Sequence, residues 1–182
     1  DQCISCGKCI KVCPEADIEK ISQNLHGEPE CYAAMADADV RMKSSSGGVF
    51  TILAEEVYQK NGLICGAVYA DDYKSVYHIV SDDRRDLDRI RGSKYVQSDM
   101  GNCFHTIRKA LEEDRFVLFS GCPCQVSGLY MYLGKQYEKL LTIDVVCHGV
   151  NSRRAYISYI EELAKGREIS KVNFRDKTVH GW

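Results

Sequence analysis

Four cysteines open the chain at a spacing that suits metal. Residues 3 to 14 read Cys3-Ile4-Ser5-Cys6-Gly7-Lys8-Cys9-Ile10-Lys11-Val12-Cys13-Pro14, the pattern C-x2-C-x2-C-x3-C-P. Thiolates three residues apart on a tight loop converge on one iron–sulfur cube. Gly7 lets the backbone approach the sulfides without a side chain in the way. Pro14 fixes the chain as it leaves the cube and is expected to start a short helix over residues 15–18. Zinc suits this run less, because it usually takes two separated pairs of ligands. A segment this short has no core of its own and depends on its metal to fold.

The run is of the bacterial ferredoxin type, in which the fourth cysteine ligates the other cluster of a two-cluster pair. On that pattern Cys3, Cys6 and Cys9 hold one 4Fe–4S cluster and Cys13 serves a second. The run belonging to that second cluster is expected outside this chain. The chain starts at Asp1 without a methionine and stops at Gly181-Trp182, which predicts a piece of a longer polypeptide.

Two more cysteine sites follow predicted strands. Gly121-Cys122-Pro123-Cys124-Gln125 comes directly after the apolar run 116–119, and Cys147-His148-Gly149 directly after the run 140–146. If those strands are neighbours, Cys124 and Cys147 share one edge of the sheet and make half of a cluster site or a dithiol. A thiol at a strand end beside a helix N-terminus is expected to have a lowered pKa. Cys65 and Cys103 read as core residues and Cys31 as a passive thiol, or as a replacement fourth donor. His148 reads as a structural hydrogen-bonder, and His26, His78, His105 and His180 suggest no role.

Two polar loops complete the chemistry. Lys43-Ser44-Ser45-Ser46-Gly47-Gly48 precedes a helix. Free backbone N–H groups, glycines and hydroxyls there form an anion cradle that suits a pyrophosphate, or an ordinary serine cap. Gly92-Ser93-Lys94-Tyr95-Val96-Gln97-Ser98 offers a lysine and an aromatic ring to a flavin phosphate or ring edge, or simply connects two elements.

The elements that position these loops follow from hydrophobic periodicity. A helix is predicted from residue 49 to the Asn61-Gly62 stop, and strands over 63–70 and 75–80 form a hairpin around Asp71-Asp72-Tyr73-Lys74. A short charged helix over 83–90 follows, then a helix over 98–113. The apolar strand 116–119 precedes a helix over 125–133. A buried strand at 140–146 precedes a helix over 152–165, and Val172 and Phe174 suggest a last strand. Alternating apolar strands and amphipathic helices predict an α/β domain, a mixed sheet covered by helices, preceded by a partial ferredoxin-like 4Fe–4S module. The expected organisation is that module over residues 1–22, a linker over 23–43, and the main domain in two parts, 44–113 and 114–182.

Composition narrows the function classes. At 182 residues and 45% hydrophobic the chain buries a core. A formal net charge of −2 gives no basic excess for nucleic acid or an anionic membrane. No apolar run approaches the ~20 residues of a membrane span, and no signal peptide opens the chain. Ten cysteines fall below the roughly 8–10% of a disulfide-built scaffold. In a cytoplasmic protein they stay reduced, which favours metal or redox chemistry.

The ordered segments Ser44-Ser45-Ser46-Gly47-Gly48-Val49-Phe50, Gly92 to Ser98, Pro123-Cys124-Gln125, Asp144 through Cys147-His148-Gly149, and Phe174-Arg175-Asp176-Lys177 followed by Gly181-Trp182 resemble the coenzyme F420 hydrogenase/dehydrogenase beta subunit family, with a ferredoxin-type N-terminal extension. The resemblance implies an iron–sulfur flavoprotein that passes electrons between clusters, FAD and a two-electron acceptor such as coenzyme F420. It also implies a redox partner subunit or ferredoxin-type donor. It maps Cys3, Cys6, Cys9 and Cys13 onto ferredoxin ligands, and Ser45, Ser46, Gly47, Gly48 and Lys94 onto the flavin pocket. Cys124 and Cys147 map onto cysteines that ligate a further cluster. Two positions depart from the family pattern: Cys122 replaces a small non-thiol residue, and Asn151 replaces proline. Three rivals stand beside this reading: a cluster-bearing relay subunit with no flavin, a thiol–disulfide oxidoreductase using Cys122 and Cys124, and a zinc scaffold.

Overall fold

The computed structural model describes residues 3–16 and 28–177. The end of the helix expected over 15–18, the first part of the expected linker, and Gly181-Trp182 lie outside the described residues.

A five-stranded mixed sheet organises the main domain. Strands β1 (Leu63–Tyr69) and β2 (Val76–Ser81) form the expected antiparallel hairpin, with Ala67 opposite His78. Strand β3 (Ser98–Asp99) runs parallel to β2; β4 (Val117–Gly121) runs parallel to β1, and β5 (Leu140–Asp144) parallel to β4. The order is β3-β2-β1-β4-β5. Strands β1, β4 and β5 therefore point their carboxyl ends the same way, toward the loops that carry the cysteines. No helix among the described residues is long and apolar enough to cross a membrane.

Helices cover both faces, as the alternating pattern requires. After the one-turn helices α1 (Lys8–Lys11) and α2 (Ala38–Met42) come α3 (Val49–Gln59), α4 (Leu87–Ile90), α5 (Cys103–Glu112), α6 (Pro123–Leu133) and α7 (Arg153–Ala164). Alternate residues of the central strands point to opposite sides. Leu63, Cys65, Val117 and Phe119 pack under Ile107 and Leu111 of α5 and Val126 and Leu129 of α6. Ile64, Val68 and Leu118 pack under Ala54 and Val57 of α3 and Leu87 and Ile90 of α4. Each fully buried Leu or Ile side chain contributes about 1.5–3 kcal/mol. Gly66 lets α4 sit directly on β1, since a Cβ there would lie 2.3 Å from Ile90 Cγ2. A third cluster joins Val76 and Val96 to Tyr156 and Ile160 of α7.

Several expected boundaries are corrected. The helix expected over 98–113 begins at Cys103, because Ser98 and Asp99 pair with Val76 and Tyr77 as a short strand. The charged helix over 83–90 divides into a 3-10 turn, Arg84–Asp86, and α4. The run read as a buried strand over 140–146 is a sheet edge that ends at Asp144, and Val146 is 82% exposed. Val172 and Phe174 form no strand; the Phe174 ring instead packs edge-on against Tyr95, centroids 5.2 Å apart.

Candidate functional site

The N-terminal cysteines form a turn-rich segment whose thiols are all free. Gly7 takes a left-handed φ of 69° at the start of α1. Cys3, Cys6 and Cys9 are exposed and Cys13 is half-buried. The chain leaves through a 3-10 turn, Pro14–Ala16, that packs on α6. This turn stands where the sequence predicts a helix over residues 15–18. Within residues 3–16 the described elements are α1 and this turn. Among the described residues no three His, Cys, Asp or Glu side chains converge as a metal site. A donor set of four thiols within eleven residues fits an iron–sulfur cluster chemically, and a metal is what draws such ligands together.

The structure brings the two strand-end loops together. Cys122 caps α6 at the end of β4, Cys147 follows β5, and β4 and β5 are paired out to Gly121 and Asp144. The Cys122 thiol hydrogen-bonds the Cys147 thiol and lies within electrostatic reach of Cys124. Its pKa is pushed up to about 11, first by burial and then by the neighbouring thiols. The lowering expected beside a helix N-terminus is thus overridden, and Cys122 is a poor thiolate nucleophile at neutral pH. Gly149 N–H donates to Cys147 Sγ at 3.4 Å. His148 is exposed, and Cys31 lies exposed in the segment before α2. Cys65 and Cys103 are buried in the core, as their positions in a strand and a helix suggest.

The serine–glycine loop meets the second polar loop. Ser45 Oγ accepts from the Ser93 N–H at 2.6 Å. Gly48 caps α3 with φ 85°, and no side chain caps that helix. A Cβ on Gly48 would approach Ala36 Cβ and Val40 Cγ1 to 3.0 Å, so only glycine fits this turn. Lys94 does not reach out of its loop. Its Nζ donates to the carbonyls of Ile90, Arg91 and Gly92 at 2.8–3.1 Å, and burial lowers its pKa to about 8. The cations around the serine–glycine loop come from elsewhere. Lys177 Nζ donates to the carbonyls of Arg41 (2.7 Å) and Ser46 (3.3 Å). Burial, then the charges of Arg175 and Arg41, lower its pKa. A glycine-capped helix end beside Arg41, Arg175 and Lys177 fits an anion such as a diphosphate.

Three residues to which the sequence reading gave no role of their own tie the site together. Gln125 accepts from the Cys122 N–H through Oε1 (2.9 Å) and donates through Nε2 to Ser98 Oγ (2.8 Å), which joins the cysteine loop to the lysine loop. The sign was present, since Gln125 lies three residues after a helix N-cap, where such a side chain reaches back. The pairing of Arg41 with Lys177 carried no local signal, because 136 residues separate them. Asn151 pairs with Val96 in a parallel bridge, so the segment after Cys147 also lies along the lysine loop. The described residues of the five motifs, scattered along the chain, are therefore linked to one another near the carboxyl ends of β1, β4 and β5.

The chain matches two family models, which describe the N-terminal and the C-terminal parts of the beta subunit of coenzyme F420 hydrogenase/dehydrogenase. The N-terminal model matches residues 31–104 and the C-terminal model residues 114–181. No curated protein matches it. A chain in the F420-reducing [NiFe] hydrogenase complex from Methanosarcina barkeri is similar in fold, with a TM-score of 0.54 at 20% identity. That likeness covers 72% of this chain and 48% of the other, so this chain spans about half the length of the structure it resembles. The matched residues include the serine–glycine loop, the lysine loop and both strand-end cysteine loops, and on that ground this chain belongs to the coenzyme F420 hydrogenase/dehydrogenase beta subunit family.

Proposed function

We propose that this chain is part of an iron–sulfur flavoprotein oxidoreductase that moves electrons between 4Fe–4S clusters, FAD and a two-electron acceptor such as coenzyme F420. The observation that carries this reading is the convergence of five separated motifs on the carboxyl edge of one α/β sheet, where such folds take their ligands. Family membership supports a redox role, and a multi-subunit setting is supported by the hydrogenase complex whose chain shares this fold. A redox partner subunit or ferredoxin-type donor completes the proposal.

In this reading Cys3, Cys6 and Cys9 hold one cluster and Cys13 serves another, while Cys124 and Cys147 are ligands to a further cluster at the strand ends. Ser45, Ser46, Gly47 and Gly48 receive the diphosphate of FAD, with Arg41, Arg175 and Lys177 offsetting its charge. A bound flavin supplies the exchange between single electrons and a hydride. The protein contributes placement. The Pro14–Ala16 turn seats the cysteine run on α6, the same helix whose first turn carries Cys124, so the two thiol sites share one rigid element. Lys94, with all three amine hydrogens donated to carbonyls, closes its loop and keeps a buried positive charge in it.

The test is anaerobic reduction of the full-length protein by a reduced ferredoxin, followed at the flavin absorbance. Flavin bleaching in the wild type that is at least tenfold slower in Cys6→Ser supports the reading. Protein that carries clusters but no flavin supports a relay role instead and overturns the flavoprotein assignment.

A further inference from the structure

Cys122 is the one strand-end thiol that the proposed cluster leaves unused. Strands β4 and β5 stay paired out to Gly121 and Asp144, and the Val145 N–H donates to the Gly121 carbonyl at 2.9 Å. That pairing brings Cys122 and Cys147 off the sheet together, and the two thiols hydrogen-bond one another. Cys147 is exposed and Cys122 half-buried. A further hydrogen reaches Cys147 Sγ from the Gly149 N–H at 3.4 Å. Cys122 is fixed, since it caps α6 and its N–H is held by Gln125 Oε1 at 2.9 Å. Cys147 follows the edge strand, in a segment where Val145, Val146 and Val150 are all exposed. Such a segment shifts without disturbing the core, so closing this contact to an S–S bond of about 2.05 Å costs little packing.

The chemistry follows from exposure. A peroxide arriving from solvent meets Cys147 first. The Cys147 thiolate attacks one peroxide oxygen, becomes a sulfenic acid and releases hydroxide. The Cys122 sulfur then attacks the sulfenic sulfur. The S–S bond forms, the S–O bond breaks, and the Cys122 hydrogen leaves with the hydroxyl as water. In sum two thiols give up two electrons and two protons, and one hydrogen peroxide becomes two waters. Cys122 is a weak nucleophile, but contact offsets this, because a group held against its target reacts at high effective concentration. Without Cys122 a second peroxide carries the sulfenic acid to a sulfinic acid, which dithiol reductants do not reverse.

We propose that Cys122 guards Cys147 against peroxides: the pair closes to a disulfide that a dithiol reductant reopens, and Cys147 survives oxidation as a usable thiol. Cys122 is one of the two positions where this chain departs from the family pattern, so the guard belongs to this chain and not to the family at large. The pair stands on its own geometry, while its value to a strand-end cluster rests on the reading of Cys147 as a ligand.

The test exposes anaerobically purified full-length protein to excess hydrogen peroxide until any cluster absorbance is gone, then alkylates it and digests it with trypsin. Trypsin releases Cys147 on residues 140–153 and Cys122 together with Cys124 on residues 116–135. The expected product is these two peptides joined by a bond that dithiothreitol cuts, in the wild type and in Cys124→Ser. In Cys122→Ser the joined peptides are absent and Cys147 carries two added oxygens. Serine is itself a good helix N-cap, so this variant keeps α6 capped. After dithiothreitol and reconstitution with iron and sulfide, the wild type regains about four iron atoms per chain more than Cys122→Ser. Joined peptides that persist in Cys122→Ser, or a wild-type Cys147 that stays a thiol or goes on to the sulfinic acid, overturn the proposal. Joined wild-type peptides with equal iron in the two proteins overturn the ligand reading of Cys147 and leave the pair standing. Should Cys122→Ser fail to fold, Cys124→Ser decides: joined peptides there identify Cys122 as the partner, and their absence overturns the proposal.

Discussion

Gln125 donates from Nε2 to Ser98 Oγ at 2.8 Å while its Oε1 accepts from the Cys122 N–H at 2.9 Å, so one side chain bolts the strand-end cysteine loop to the lysine loop. Gln125→Leu leaves both partners without it. The expected cost is about 1–2 kcal/mol, seen as a lower melting temperature. Iron retained per chain should fall too if Cys124 is a ligand.

Gly48→Ala meets two obstacles. The left-handed backbone at φ 85° costs an L-residue roughly 1–2 kcal/mol. The new methyl also presses on Ala36 and Val40 at the start of α3. Stability should drop, and affinity for ADP should fall severalfold, because the mouth of the anion cradle is deformed. Unchanged ADP binding in a folded Gly48→Ala protein contradicts the placement of the diphosphate.

Lys94 has a pKa of about 8 against an ordinary 10.5, because burial disfavours its charge. Between those values the unfolded chain binds more protons than the folded one, so this residue's contribution to stability rises with pH across that window. Below about pH 8 the burial cost is carried in full. Lys94→Met removes the titration. The melting temperature of the wild type relative to Lys94→Met should therefore climb from neutral pH through pH 10.5, and a flat difference contradicts the burial of this amine.

Cysteine replacements separate ligands from bystanders. Cys3→Ser, Cys6→Ser or Cys9→Ser should each remove one cluster, about four iron atoms per chain. Cys31→Ser should leave iron and sulfide unchanged. The exposed Cys31 thiol thus serves as the control for nonspecific metal uptake.

The parts of this fold legible in the sequence are those set by strong periodicity. The apolar run at 63–69 and the helix after Gly48 stand where the pattern placed them, because burial on one or both faces dictates their composition. The run Leu140-Leu141-Thr142-Ile143-Asp144-Val145-Val146 misleads for a physical reason: an edge strand with exposed Leu141 and Val146 looks like a central one until its neighbours are known. The two-residue strand Ser98–Asp99 is too short to carry a period at all. The cysteine spacing suggests a cluster, and among the described residues these thiols do not converge as a metal site. His78 sent no signal, since one histidine in an apolar strand looks like core, and core is where it lies.

Thiolate-held iron–sulfur clusters and a flavin sharing this sheet edge should be visible in one experiment. It is an anaerobic absorbance spectrum of the full-length protein, with iron, acid-labile sulfide and flavin counted per chain. The expected result is a brown protein with at least about four iron and four sulfide and a stoichiometric flavin. A colourless protein that carries zinc, or no metal and no flavin, contradicts this assignment.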